Sequence, residues 1–287
     1  VRIQYWEQKA SSDLPDWLYV KNDEVSSSDV TVDVDEARQT VTVKNRQGTP
    51  VFTATLHQMK GREATLAFLS DKDEHLYGLG QFQDGYSNLR GLSRRLTQVN
   101  TQISIPMLLS SKGYGVLWNN YGLVDFNPCD HQVKMNLLDE AGQTEVVNVT
   151  TTEGGRREVR QRNIYEATID VAEDGNYSLL LDVGQQMARR HNLSIDGQNV
   201  IEMQNMWLPP TASAIVPLKA GRHVMRAELS RGDAPVIYYN KVKDETVFRS
   251  PVATAVDYTV FVGTPDEIIA GYRELTGEAP LMPRWAL

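Results

Sequence analysis

Cysteine is almost absent from this chain, and three other shortages narrow what the protein can be. The 287 residues contain one cysteine, Cys129, so no internal disulfide and no multi-cysteine metal cluster can form. No apolar run reaches about 20 residues, so we expect no membrane-spanning helix. Acidic residues outnumber basic ones, 37 to 29, and the net charge is −8. Because nucleic acids are bound by basic surfaces, this balance argues against a nucleic-acid partner.

Signatures of metal, cofactor and nucleophilic sites are also missing. The five histidines are scattered, with no His-x-x-x-His or Glu-paired spacing, so we predict no metal site. Gly78-Leu-Gly80 followed by Gly85 does not match a dinucleotide fingerprint, and we predict no cofactor. Ser110-Ser111 lacks the flanking glycines of a hydrolase elbow. Cys129 is interpreted as a half-buried structural thiol.

What the chain does contain is the period-two alternation of β-strands. Val30 to Val34 and Val41 to Val43 predict a hairpin, and Lys112-Gly113 and Asp196-Gly197 supply two further tight turns. Short strands at regular spacing, separated by turn residues, are typical of β-sandwiches. One helix is predicted at 265–276. Thr264 and Glu267 form a capping box there, and Gly277 ends the helix.

A change in composition predicts two domains. Residues 1–127 and 249–263 carry aromatic-rich strands and are assigned to one β-sandwich. Residues 128–248 open with a polar stretch from Glu140 to Arg162 and continue with short strands, which predicts a second β-sandwich or barrel inserted into the first. The basic run from Arg156 to Arg162 is interpreted as a solvated loop or the start of a strand. Residues 264–287 are assigned to the helix and a linker.

The densest polar and aromatic segments suggest a sugar site. Amides, a carboxylate and a guanidinium lie between aromatic residues, and sugars are bound by such groups together with flat apolar faces. The alternative, which the residue types alone favour, is that these groups cap strand ends and cover the rim of the sandwich. The candidate substrate-binding residues in these segments are Gln81, Asp84, Asn88, Arg90 and Asn100.

A further candidate lies in the predicted insert. Trp207 precedes Pro209-Pro210 and follows the Asp196-Gly197 hairpin. An exposed indole in this position can stack on a sugar ring. The alternative is that Trp207 covers the rim of the insert's own core.

The last residues suggest that the chain is a fragment. After the helix, Pro280 and Pro283 prevent any continuation, and Arg284 to Leu287 begin an apolar run. Such a run needs a partner to cover it and to satisfy its backbone. We therefore expect a further domain beyond Leu287.

Several motifs, taken in order, resemble the glycoside hydrolase family 31, which contains α-glucosidases and α-xylosidases. Tyr77-Gly-Leu-Gly-Gln81, Gln98-Val-Asn-Thr101 and Ser111-Lys-Gly-Tyr-Gly-Val-Leu-Trp-Asn-Asn120 are similar to its N-terminal sandwich. Gly271 to Gly277, followed by Pro280, Pro283 and Trp285, is similar to the start of its catalytic barrel. The insert resembles the protective-antigen-type sugar-binding module of some α-xylosidases, and its Leu193 to Gly197 motif also resembles galactose-binding-like sandwiches.

The resemblance implies a fold and a role. It implies an all-β chain whose first sandwich is of the galactose-mutarotase type. The intact protein would be a retaining α-glycosidase acting on an oligosaccharide substrate, periplasmic or secreted. The family's catalytic aspartates lie on the barrel, so no residue of this chain is assigned a catalytic role and the piece alone is predicted to be inactive. The chain's partners would be the substrate and its own barrel. The alternative is a stand-alone carbohydrate-binding or adhesion module.

Overall fold

The computed structural model describes residues 1–6, 30–56, 58–139, 144–151, 154–185, 187–230 and 232–277. The expected linker at 278–287 lies outside these residues. The described residues form four β-sheets and one α-helix, which confirms the all-β sandwich fold predicted from the sequence. They include no helix with the length and apolar character of a membrane span.

The strands are numbered in chain order. They are β1 (Arg2–Tyr5), β2 (Thr31–Asp35), β3 (Thr40–Lys44), β4 (Pro50–Thr55), β5 (Gln58–Lys60), β6 (Glu63–Leu69), β7 (Leu76–Gln81), β8 (Arg94–Leu96), β9 (Ile103–Ser110), β10 (Tyr114–Trp118), β11 (Val124–Phe126), β12 (His131–Lys134), β13 (Asn136–Asp139), β14 (Thr144–Thr151), β15 (Gly154–Val171), β16 (Gly175–Asp182), β17 (Ala188–Ile195), β18 (Gln198–Leu208), β19 (Thr211–Leu218), β20 (Gly221–Ser230), β21 (Val236–Lys241), β22 (Glu245–Ser250) and β23 (Val256–Val262).

The first sandwich encloses an aromatic core between two sheets. One sheet has the order β1-β23-β10-β9-β7, and the other has the order β2-β3-β4-β6-β22-β11-β8, with β5 also pairing with β6. Trp118 and Phe248 come from opposite sheets and stack with ring centroids 6.2 Å apart. The indole nitrogen of Trp118 donates to Ser250 Oγ at 2.9 Å. Each fully buried large side chain of this kind contributes about 1.5–3 kcal/mol.

The second sandwich has a separate core. Its sheets have the orders β12-β21-β16-β19 and β13-β15-β20-β17-β18, with β14 also pairing with β15. The side chains between them are aliphatic and include Leu179, Leu193 and Met225. The turn from β17 to β18 has positive φ at Asp196 (49°) and Gly197 (83°), as a type I′ hairpin requires.

The long ribbon β14–β15 was only partly anticipated. The sequence suggested a solvated loop or the start of a strand for Arg156 to Arg162, but these residues lie within the 18-residue strand β15. β14 pairs with its first half, from Thr144 opposite Gln161 to Thr151 opposite Gly154. Arg156 and Arg157 are exposed to solvent, and the polar composition of the run hid a strand whose backbone pairs with its neighbour.

Strand pairing moves the end of the inserted segment. Glu245 to Phe248 were assigned to the insert, yet β22 pairs with β6 from Glu245 opposite Leu69 to Ser250 opposite Ala64. These residues therefore lie in the first sandwich. The sequence could not show this, because an alternating strand fits either sandwich and only its long-range pairing decides.

The helix α1 (Pro265–Thr276) begins and ends as predicted. Thr264 accepts from the backbone of Glu267, and the Glu267 carboxylate accepts from Thr264 N at 2.8 Å, which completes the capping box. Gly277 is the C-cap residue. Ile268 packs on Gly115, where a Cβ would lie 2.6 Å from Ile268 Cγ2. The missing side chain of Gly115 thus lets the helix approach β10 closely.

Candidate functional site

The segment between β7 and β8 holds Asp84 in a buried ion pair. Arg94 Nη2 donates to both Asp84 oxygens at 2.6 and 2.5 Å, and its Nε donates at 3.1 Å. The guanidinium also lies 3.9 Å from the centroid of the Phe82 ring. The side chains of Arg94 and Asp84 are 3% and 11% exposed. The carboxylate is therefore committed to a partner within the chain.

Asn88 and Arg90 also use their polar atoms internally. Asn88 Oδ1 accepts from Leu76 N at 3.0 Å and from Arg90 N at 3.2 Å, so it caps the start of β7. The Arg90 guanidinium donates to the Ser70 carbonyl at 3.1 and 3.2 Å and pairs with Asp244. These contacts correspond to the strand-capping role that the sequence analysis gave as the alternative to sugar binding. The role of both residues in sugar binding stays a prediction.

The turn at 97–102 carries Asn100 to the junction of the two sandwiches. Gln102 is buried and donates through Nε2 to the Thr97 carbonyl at 2.8 Å, which fixes the turn. Thr101 Oγ1 donates to the main-chain carbonyl of Trp207 in β18. Asn100, at the tip, is exposed. A loop of the first sandwich therefore touches the strand that carries the predicted indole platform.

Gln81 lies at the same end of the first sandwich. It is the last residue of β7, is exposed, and pairs with Ile103, two residues beyond Thr101. The Trp207 side chain is 42% exposed. The structure thus brings the turn that carries Asn100 to Trp207 through Thr101, and it gives Asp84, Asn88 and Arg90 internal partners.

Sequence reasoning missed Arg95 and Tyr86, which join the two sandwiches. Arg95 donates to Asp125 in its own sandwich at 3.2 Å and to Asp182 of the insert at 2.7 Å. The Tyr86 hydroxyl accepts from Ile215 N of the insert at 3.0 Å. No local signal marks these residues, because their partners in the insert lie 87 and 129 positions away in the chain.

A crevice opens beside this junction. Its open part has a volume of about 210 Å³, with walls formed by residues 83–86 of the first sandwich and by Val200 to Met203 and Ser213 of the insert. A narrower part of about 20 Å³ continues towards Arg94, Arg95 and Gln102. The crevice is thus shared between the two sandwiches.

The buried titratable groups outside the crevice have surroundings that suit a role in stabilising the fold. Burial raises the pKa of the Cys129 thiol to about 11, which disfavours the nucleophilic thiolate. Burial lowers the pKa of His191 to about 4, and its Nε2 is 2.8 Å from the Pro209 carbonyl. Burial raises the pKa of Asp233 to about 6, although its carboxylate accepts from Ser230 N at 2.8 Å and so closes a turn. Among the described residues no cluster of three or more His, Cys, Asp or Glu side chains is arranged to hold a metal ion.

The curated relatives include a family 31 glucosidase and two α-xylosidases. A 58-residue stretch is 47% identical to an uncharacterized family 31 glucosidase of Pseudescherichia vulneris, covering 20% of this chain and 11% of that protein. A 113-residue stretch is 33% identical to an α-xylosidase of Saccharolobus solfataricus, covering 34% of this chain and 16% of that protein. The matched segments thus span less than a fifth of either relative. No protein-family model matches the chain.

The fold as a whole has a counterpart in a solved structure. The GH31 α-xylosidase of Xanthomonas citri superimposes on 90% of this chain with a TM-score of 0.67 and 22% sequence identity. The superposition covers 33% of that protein. At this level of identity the comparison shows that the architecture is shared.

Proposed function

We propose that the chain is the non-catalytic N-terminal part of a retaining α-glycosidase of family 31, an α-xylosidase or α-glucosidase acting on oligosaccharides. The observation that carries the proposal is a structural superposition. One third of a GH31 α-xylosidase superimposes on 90% of this chain with a TM-score of 0.67. The stretches of 47% and 33% identity to a glucosidase and an α-xylosidase support the same family.

The described acidic residues support a non-catalytic role. Retaining glycosidases need two carboxyl groups about 5–5.5 Å apart, one acting as nucleophile and one as acid and base. The two most buried acids among the described residues are held by internal donors: Glu74 by Ser110 and Tyr114, and Asp257 by Arg2, Gln4 and Asn119. The half-buried Asp84 is held in the same way by Arg94. Such hydrogen bonding fits a structural carboxylate, since a catalytic pair must face substrate.

The junction of the two sandwiches is the surface that we assign to the substrate. Asn100 and Trp207 are exposed there and joined through Thr101. We propose that the first sandwich flanks the pocket of a catalytic barrel and that the insert, proposed as a protective-antigen-type module at about 128–244, extends it. The barrel would be the partner within the chain. A periplasmic or secreted location is part of the same proposal.

The first prediction concerns activity. The 287-residue chain is expected to release no nitrophenol from aryl α-xylosides or α-glucosides, because the catalytic carboxylates are assigned to the barrel. A longer chain that includes the coding sequence after Leu287 is expected to be active, with retention of the anomeric configuration in the first product by NMR. Turnover by the short chain would contradict the assignment. If no barrel is encoded after Leu287, the stand-alone carbohydrate-binding module is the better explanation.

The second prediction concerns Trp207. We expect Trp207→Ala to weaken binding of isoprimeverose or maltose by about three- to tenfold, because a stacked ring contributes about 0.5–1.5 kcal/mol. The measurement is calorimetric titration of the chain. Tyr121→Ala is the matched control, since Tyr121 is an aromatic side chain that is 94% exposed in the first sandwich. Equal affinities for wild type and Trp207→Ala would remove the indole as a platform.

A further inference from the structure

The crevice between the sandwiches has hydrogen-bonding groups and apolar surface on facing walls. Gln83 is exposed on the wall of the first sandwich, next to Tyr86. Glu202 is exposed on the wall of the insert, next to Met203 and Ser213. The side chains of Gln83 and Glu202 have no hydrogen-bond or ion-pair partner within the described part of the chain. Two polar groups are therefore available to a ligand.

The charges around the crevice select against an anion. The charges at its narrow part balance: Arg94 pairs with Asp84, and Arg95 and Arg249 share Asp125 and Asp182. The remaining charge is the carboxylate of Glu202, which would repel a carboxylate or phosphate. A neutral ligand rich in hydroxyl groups is favoured, because a carboxylate accepts two hydroxyl hydrogen bonds and such charge-assisted bonds are strong.

The size of the crevice limits the ligand further. Its open part of about 210 Å³ is smaller than the roughly 300–1,000 Å³ of pockets that enclose a drug-sized ligand. One sugar ring therefore suits it better than a chain. The narrow part, about 20 Å³, has room for a single water molecule, which needs roughly 10–15 Å³.

We propose that this crevice is a secondary binding site for one neutral pyranose unit, separate from the surface at Asn100 and Trp207. The sugar class of the ligand rests on the proposed glycosidase function, and the crevice itself rests on geometry. Glu202 accepts hydrogen bonds from two ring hydroxyls, and the Gln83 amide binds a third from the facing wall. Met203 and the ring of Tyr86 provide apolar surface for the C–H face of the sugar.

A hydrogen bond of Tyr86 holds the two walls of the crevice at a fixed spacing. The Tyr86 hydroxyl accepts from Ile215 N, and Arg95 bridges to Asp182 nearby. Both contacts cross from the first sandwich to the insert, so the spacing of Gln83 and Glu202 is fixed before a ligand arrives. Such preorganisation reduces the entropic cost of binding a small ligand.

The test is an NMR titration of the 287-residue chain labelled with ¹³C at its methionine methyl groups. Methyl α-xyloside, methyl α-glucoside and glucuronate are added, and Met203→Leu identifies the Met203 resonance. We expect the neutral glycosides to shift that resonance with millimolar affinity, and Glu202→Gln to weaken them about tenfold. Glu36→Gln, the same change at an exposed turn residue of the first sandwich, is expected to bind as the wild type does.

Three outcomes would overturn the proposal. These are a Met203 resonance that does not move, a Glu202→Gln variant with unchanged affinity, and glucuronate binding more tightly than the glucoside. If Trp207→Ala abolishes sugar binding while Glu202→Gln binds as the wild type does, the ligand binds at Trp207 alone. The titration measures binding and not turnover, so it tests the crevice independently of the proposed function. If the crevice binds the glycosides but the longer protein hydrolyses no α-glycoside, the proposed function is wrong and the crevice site stands.

Discussion

Replacing Asp84 by alanine is expected to lower the free energy of unfolding by about 3–5 kcal/mol. The change removes the carboxylate that accepts three hydrogen bonds from Arg94 at 2.5–3.1 Å. Arg94 is 3% exposed, so its charge would stay buried without a counterion. Burial already lowers the pKa of Arg94, and the charge of Asp84 acts in the opposite direction. The measurement is urea unfolding followed by tryptophan fluorescence.

Two control variants separate the buried charge from the loss of a side chain. The double variant Asp84→Ala, Arg94→Met is expected to recover much of the stability, because it removes both charges and keeps the packing against Phe82. Asp170→Ala breaks the exposed pair with Arg222 and is expected to change the unfolding curve little. If Asp84→Ala is as stable as the wild type, the buried Arg94 does not need Asp84 as a counterion. The Asp84 carboxylate of the wild type could then serve a ligand.

Local signals in the sequence were sufficient for the elements that short-range chemistry defines. The helix at 265–276 was predicted from Thr264, Glu267 and Gly277, and the structure confirms it. The Asp196-Gly197 hairpin was predicted from residues that tolerate positive φ, and both have it. In each case the hydrogen bonds or dihedral angles that fix the element lie within a few residues.

The site depends on contacts that local signals do not contain. Asp84, Asn88 and Arg90 were candidate sugar ligands with strand capping as the alternative, and only their partners in the fold show whether their polar atoms are available. Arg90 pairs with Asp244, 154 positions away, and Thr101 reaches the Trp207 carbonyl across 106 positions. One sequence cannot reveal such pairings. For the same reason it did not single out Gln83 and Glu202, which only the folded crevice brings together.

The glycines of Tyr77 to Gln81 illustrate the same limit. The sequence placed Gln81 in a candidate sugar-binding segment, and the structure places these glycines in strand β7, with a register shift between Gly78 and Gly80 where it pairs with β9. Leu79 between them has a φ of 63° and is fully buried. The glycines serve close backbone packing within the sheet, a role for which they are well suited because they lack a Cβ.

Gly80→Ala is accordingly expected to destabilise the protein by more than about 4 kcal/mol. Gly80 has a φ of +102°, and a Cβ there would lie 2.1 Å from the Ile103 carbonyl oxygen and 2.8 Å from its carbon. The clash is with backbone that is paired in the same ladder, so no side chain can turn aside to relieve it. Urea unfolding and the soluble yield at 37 °C measure the effect.

Gly85→Ala is the matched control that isolates the steric clash. Gly85 also has a positive φ, +79°, but nothing lies within 4 Å of the position of its Cβ. Alanine there should cost only the strain of a left-handed conformation, about 1–2 kcal/mol. If Gly80→Ala accumulates as insoluble protein while Gly85→Ala folds, the clash is supported as the cause. Equal, small effects of both substitutions would mean that β7 and β9 can separate at Gly80 and that the close approach of the two backbones is not needed for stability.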